Sequence, residues 1–140
     1  MFIVLDTSIL IAFLLSRGDN NSREIIRLAK NKKVQLAASK ETIHELKRVL
    51  SVDVVKKLPG YKAHLVASFI AWYQYNVNYF VIDSITSPLV IRDVSDNIFL
   101  KLAVASHAQY IISGDKDLLV IKQIQKTKII TTAEFMQLQK

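Results

Sequence analysis

The chain contains no cysteine. That absence excludes disulfides, thiolate metal sites and cysteine nucleophiles together, and it suits a reducing cytoplasm. Glycine and proline are nearly as scarce, with three and two residues in 140. No linker, repeat or low-complexity stretch interrupts the sequence. No long apolar run is present either. Ile9 to Leu15 is the uninterrupted stretch near the N-terminus, and a bilayer needs about 20 such residues. Asp6 breaks the apolar N-terminus, no basic residue precedes it and no clean small-residue cleavage site follows. The segment therefore reads as a buried strand and a helix rather than a secretory signal, and a cytoplasmic location is expected. Acidic residues are the minority, 12 against 19 lysines and arginines.

What is present is a core and a surplus of positive charge. Hydrophobic residues make up 51% of the chain, enough for residues 1–140 to form one domain with one core. The formal charge of +7 and pI near 9.7 favour polyanions, of which nucleic acid is the commonest. Basic residues cluster at Lys30, Lys32 and Lys33, at Lys47 and Arg48, at Lys56 and Lys57, and at Lys122, Lys126 and Lys128. Any one cluster reads equally well as a solvated helix face.

Short β-rich runs alternate with longer helical stretches. Phe2–Leu5 is continuously apolar, as in a strand buried on both faces. Further strands are predicted at Val34–Ala37, Tyr79–Ile82, Tyr110–Ser113 and Lys128–Ile130. Between them, Ser8 is the expected cap of a helix to about Ser16, and a second helix starts at Asn21 or Ser22. Ser39 caps a third that turns Ile43, Leu46, Val49 and Leu50 inward. Ser51–Leu58 adds a turn or two before Pro59-Gly60. Tyr61–Asn76 shows helical spacing at Leu65, Phe69, Ile70 and Tyr73. Trp72, Tyr73, Tyr75 and Tyr79 offer rings for stacking on bases, but they read rather as core and interface. After a polar loop, Asp83–Asp93, Ser95 caps a helix to about Ala108. Thr131 and Glu134 form a capping box for the last helix. Helices between strands imply a parallel sheet covered on both faces, and such sheets bind ligands beyond the carboxyl ends of their strands.

That rule gives weight to acids at strand exits. Asp6 ends the first strand, and Asp115 and Asp117 follow the fourth, just past Gly114. Asp96 shares a helix stripe with Phe99, Leu100 and Ala103, and an inward carboxylate is costly unless paired, hydrogen-bonded or bound to a metal. Glu45 lies at the edge of its helix's apolar face. Each has a plainer role open to it: Asp6 and Asp96 as helix-end residues, Asp115 and Asp117 as turn formers, Glu45 as a surface acid. Converging carboxylates repel unless something positive sits among them, and Lys116 and Arg92 are the only evident cations nearby in sequence. Oxygen-only ligands select Mg²⁺ or Mn²⁺, and such an ion activates water and neutralises a leaving oxygen without a protein nucleophile. The histidines show no metal-ligand spacing. His44, beside Glu45, reads as exposed or supporting, and His64 and His107 as structural or exposed.

Four segments in order, DTSIL at Asp6, ETIHEL around Glu45, RDVSDNIFLKLA around Asp96 and YIISGDKDLL around Asp115, resemble the motifs of the PIN-domain family. The ending KIITTAEFMQL is similar to that of a subgroup described as toxins of toxin–antitoxin systems, the VapC-like ribonucleases. The resemblance covers essentially the whole chain. It implies an α/β fold, a three-layer α/β/α sandwich around a central parallel sheet of about five strands. It implies a Mg²⁺- or Mn²⁺-dependent endoribonuclease with Asp6, Glu45, Asp96 and Asp115 as catalytic metal ligands and Asp117 as a weaker fifth. Ser8, Asp93 and Ser113 would support them. It also implies RNA as substrate, a homodimer and a small antitoxin protein as partner. The rival expectation is an RNA-binding or RNA-processing module of the same fold with little or no catalysis.

Other acid-led folds fit less well. A haloacid-dehalogenase-like phosphatase needs a second acid two residues after the first, where Ser8 stands. A receiver domain needs an acidic pair at the first strand, and Leu5 precedes Asp6. A dinucleotide-binding domain needs a glycine-rich first turn, and Thr7-Ser8-Ile9 is not one.

Overall fold

The computed structural model describes residues 1–15, 21–85 and 94–139, and for residues 94–96 the backbone alone. Asp93, Arg92 and most of the polar loop after Ile85 lie outside the described residues. Six strands form one sheet: β1 (Phe2–Leu5), β2 (Gln35–Ala38), β3 (Asn78–Tyr79), β4 (Tyr110–Ile112), β5 (Gln123–Ile124) and β6 (Thr127–Ile130). Their spatial order is β3-β2-β1-β4-β6-β5. All neighbours run parallel except β5 and β6, which form an antiparallel hairpin. The helices are α1 (Thr7–Leu14), α2 (Asn21–Lys30), α3 (Lys40–Leu50), α4 (Asp53–Lys56), α5 (Ala63–Asn76), α6 (Val94–Ser106), α7 (Lys116–Leu119) and α8 (Thr132–Leu138).

The period of two along each strand divides the core. Ile3, Leu5, Leu36, Ala38, Ile112 and Ile130 join one apolar cluster, together with residues from α1, α2, α3, α5 and α8. Val4, Ala37, Ile111 and Ile129 join the other, with Phe99, Leu100, Leu102 and Ala103 of α6 and Leu118 of α7. Helices therefore cover both faces, as the alternation of strands and helices predicted. Ile3 and Val4 are fully buried on opposite faces, and burying each side chain contributes roughly 1.5–3 kcal/mol. Among the described residues, no helix is long and apolar enough to cross a membrane.

Several expectations need correction. The sheet has six strands rather than five, because Gln123-Ile124 pairs with β6 across a two-residue turn. A two-residue strand carries too little alternation to register in sequence. The third strand is Asn78–Tyr79, earlier and shorter than Tyr79–Ile82. Ser8 does not cap α1. Asp6 holds that position, and its side chain makes no capping bond. Ser95 lies inside α6, which already begins at Val94. In α5, Val66 is buried where Leu65 was expected, and Leu65 is half exposed. Tyr75 is not core but 88% exposed, and Tyr79 is also mostly exposed. Ser39 does cap α3, in a reciprocal box with Thr42, and Thr131 with Glu134 forms the box that opens α8.

With only three glycines, the chain places other residues in the left-handed region. Lys32, His107, Lys122 and Gln125 have positive φ. Lys32 ends α2, where its N–H donates to Ala29 O and that of Lys33 to Leu28 O. This is the hydrogen-bond pattern of a Schellman ending, which normally has glycine at that position. Gly60 is the position where no side chain fits. Its φ is 91°, and a Cβ there would lie 2.6 Å from Leu15 O.

Candidate active site

The chain runs from β1 outward to β2 and β3, then returns to the far side of β1 with β4. The strand order reverses between β1 and β4, the crevice where open α/β sheets hold ligands. Asp6 follows β1 and Asp115 follows β4, so both acids stand at this crevice.

Asp6 is only 5% exposed. Its N–H continues the parallel ladder by donating to Ile112 O at 3.1 Å. Its Oδ2 accepts two hydroxyls, from Ser113 at 2.6 Å and from Ser8 at 2.9 Å. Each serine is fixed in turn by the loop after β4. The Gly114 N–H donates to Ser8 Oγ at 3.2 Å, and the Asp115 N–H to Ser113 Oγ at 2.9 Å. Ser8 thus works from the first turn of α1 as an orienting group, and the loop of Asp115 is tied to Asp6 through two short chains of hydrogen bonds. Burial pushes the Asp6 carboxyl above the ordinary aspartate range. The Ser113 and Ser8 hydroxyls oppose that shift, and the charge on Asp115 adds to it.

Asp115 accepts the Asp117 N–H on Oδ1 at 2.9 Å and so caps α7. Its turn-forming role is therefore real, and Oδ2 keeps no hydrogen bond among the described residues. Asp117 and Lys116 are exposed at the start of α7.

Glu45 sits differently. Its side chain is 15% exposed, and both oxygens are forked by Arg48, Nη2 to Oε1 at 2.6 Å and Nε to Oε2 at 3.1 Å. Arg48 was not among the cations expected beside the acids, which were Lys116 and Arg92. The signal was present, since an arginine three residues after a glutamate on a helix is placed to pair with it. His44 is exposed, as are His64 and His107.

The structure thus brings Asp6, Ser8, Ser113 and Asp115 together in one bonded cluster, and it pairs Glu45 with Arg48. The helix carrying Asp96 packs its Phe99, Leu100 and Ala103 into the core as expected, while the Asp96 side chain and Asp93 lie outside the described residues. Among the described residues no three acids or histidines are grouped closely enough to hold a metal ion. The Asp6 carboxylate and the Asp115 backbone are linked through the Ser113 hydroxyl, and the two side-chain charges are near enough to act on each other. Neither Asp6 nor Asp115 has a lysine or arginine partner among the described residues, and the Asp6 carboxyl is raised by burial, with a smaller part from the Asp115 charge. A hard divalent cation with oxygen ligands fits that deficit. Glu45 already has its charge balanced by Arg48.

Comparison with known proteins agrees with this geometry. A family model described as PIN domain matches residues 2–117. Among solved structures, the chain is similar to one in the crystal structure of VapBC2 from Rickettsia felis bound to a DNA fragment from their promoter. The TM-score is 0.61 at 16% sequence identity, over 94% of this chain and 98% of that one. No curated protein matches the sequence.

Proposed function

The chain belongs to the PIN domain family, and from that premise we infer that it is a Mg²⁺- or Mn²⁺-dependent endoribonuclease, built as a single domain over residues 1–140. The observation that carries this reading is the buried Asp6 carboxylate, held by two serine hydroxyls beside Asp115 at the crevice where the strand order reverses. Asp6 and Asp115 would hold the cation, with Asp96 and Glu45 completing the set and Asp117 contributing weakly at the rim. When bound, the ion supplies a polarised water and stabilises charge on the leaving oxygen of a phosphodiester.

The protein's own part is positional. Ser113 and Ser8 occupy Oδ2 of Asp6 and so fix the plane of the carboxylate. The hydrogen bonds from Gly114 and Asp115 lock both hydroxyls toward it. Asp115 is held in turn by the first turn of α7. A ligand set prepared in this way avoids reorganisation when substrate arrives. Asp93, one turn before Asp96 in sequence, is assigned a supporting role.

On the family reading it is a toxin that acts on RNA in the cytoplasm and forms a homodimer, and the likeness to a chain of the VapBC2 complex supports a small antitoxin protein as partner. A second reading draws on the Arg48 fork. With Glu45 neutralised, the same fold would bind or process RNA with little or no catalysis. The two separate in one assay. Purified protein is incubated with RNA and Mn²⁺ or Mg²⁺, against EDTA and against Asp6→Asn. Metal-dependent cutting that the variant loses supports the nuclease. An intact protein that cuts no RNA in either metal leaves the binding module.

A further inference from the structure

The opposite edge of the sheet carries a second feature that the acid cluster does not explain. Gln35 and Asn78 open β2 and β3, and Met1 precedes β1, so the amino ends of three parallel strands meet there. A cavity of about 320 Å³ lies at this edge, lined among others by Lys30, Lys32, Lys33, Trp72, Asn76 and Asn78. The three lysines are exposed, and none has a carboxylate partner among the described residues. Lys30 Nζ stands 5.3 Å from the centre of the Trp72 ring, a cation–π contact. Trp72 is half buried. Asn76 and Asn78 each give one amide N–H to a main-chain carbonyl, of Trp72 and of Leu36, which steadies both amides at the cavity wall.

Cations without counter-charges, an indole and fixed amides around one cavity match a nucleotide's parts. The lysines suit the phosphates, and the indole suits an unpaired base. The amides offer hydrogen bonds to base edges. We propose that this cavity is a binding site for single-stranded RNA, separate from the acid cluster and on the far edge of the sheet. Its phosphates lie on Lys30, Lys32 and Lys33, and one base lies against Trp72. The two sites lie at opposite ends of the parallel strands, the acids after β1 and β4 and the cavity before β2 and β3. The proposal rests on the reading of RNA as substrate, but its test needs no cutting.

Trp72 is the only tryptophan in the chain, so tryptophan emission comes from this residue. It lines this cavity and, on its other side, a second one with Phe13 and Phe69. The lysine variants tie the signal to the first. The intact protein in EDTA is titrated with a short single-stranded oligouridine, following Trp72 fluorescence and the anisotropy of a label on the RNA. Quenching that saturates with the same Kd as the anisotropy is expected. Lys32→Gly places glycine at a left-handed position, so the fold is kept while one charge is removed. Its plot of log K against log salt should flatten by about 0.7, the contribution of one phosphate contact on a single strand. Lys32→Gly with Lys33→Gln should flatten it by about 1.4. Neutralising the exposed Lys56 and Lys57 to glutamine should leave the slope near that of the parent.

Three results overturn the proposal: no binding in EDTA, binding by anisotropy with Trp72 unquenched, or an equal loss of slope in the Lys56 and Lys57 control. A protein that binds and quenches but never cuts in Mn²⁺ overturns only the nuclease reading. One that cuts while Trp72 stays unquenched overturns only this one.

Discussion

The two edges of the sheet are chemical opposites. At the carboxyl ends of β1 and β4, a buried aspartate is bonded to two serines whose own acceptors are filled by the next loop. At the amino ends of β1, β2 and β3, exposed lysines surround an open cavity and meet no acid among the described residues. One edge carries a buried acid with no basic partner, and the other carries exposed bases with no acidic partner, among the described residues. The formal charge of +7 hides this polarity, because a sum over residues says nothing about which end of a strand each one follows. Strand direction sorts the charges. In a parallel sheet every exit loop lies on one edge and every entry loop on the other.

The contrast can be broken most forcefully at Asp6. Asp6→Asn keeps an acceptor for both serine hydroxyls but removes the charge, so RNA cleavage in Mn²⁺ should fall by at least about a hundredfold, as for loss of a principal electrostatic contributor. The same variant should melt higher than the parent in EDTA at neutral pH, since its amide escapes the cost of a buried charge. Parent-like cutting by the variant would remove Asp6 from the metal set.

Ser113→Ala comes next. It strips the 2.6 Å bond from the buried carboxylate and leaves the Asp115 N–H without its acceptor. About 1–3 kcal/mol of stability should go, together with roughly tenfold or more in Mn²⁺ affinity, measured by metal titration, because groups behind a ligand tune its affinity on that scale. A loss of stability with unchanged metal affinity would make Ser113 structural alone.

A pH series sharpens the same point without mutation. The Asp6 carboxyl titrates higher folded than unfolded, where 3.8 applies. Between those two values the native state holds the extra proton. Stability from this group is therefore full below 3.8 and declines as pH rises through the folded value, then stays level. Urea unfolding in EDTA should show that decline in the parent and lack it in Asp6→Asn, while Mn²⁺ should raise the parent's midpoint at neutral pH by binding the folded state.

The smallest effect is expected from Arg48→Gln. Arg48 is more than half exposed, so losing this pair should cost under about 1 kcal/mol. If Glu45 serves the cation, its release should tighten Mn²⁺ binding a few-fold. Unchanged binding would leave Glu45 outside the set and the Arg48 pair as its whole role.

Much of this architecture was legible in the sequence, for reasons that differ by element. Phe2–Leu5 announced itself because a strand buried on both faces must be apolar throughout. Ser39 and the Thr131–Glu134 pair marked helix starts because a side-chain cap is a local bond. Asn78–Tyr79 and Gln123–Ile124 did not, because strands of two residues depend on partners distant in the chain. Tyr75 shows the limit of periodicity. Its helical spacing with Trp72 and Tyr79 suggested burial, yet it stands exposed among the described residues. In the candidate site, the acids at strand exits could be named from position alone. Arg48, three residues after Glu45, was also readable as a helix pair, whereas the cations expected near the acids were Lys116 and Arg92.

The order of residues by itself determined where the acids lie relative to strands and helices, and through four ordered motifs it determined the family. It did so because capping, apolar periodicity and strand exits are written within a few neighbouring residues. Only the tertiary structure decided which hydroxyls hold Asp6, that burial raises its proton affinity, that Glu45 is held by Arg48, and that three lysines share a cavity with Trp72. Those outcomes depend on which strand lands beside which, and distances between residues a hundred positions apart exist only once the sheet has closed.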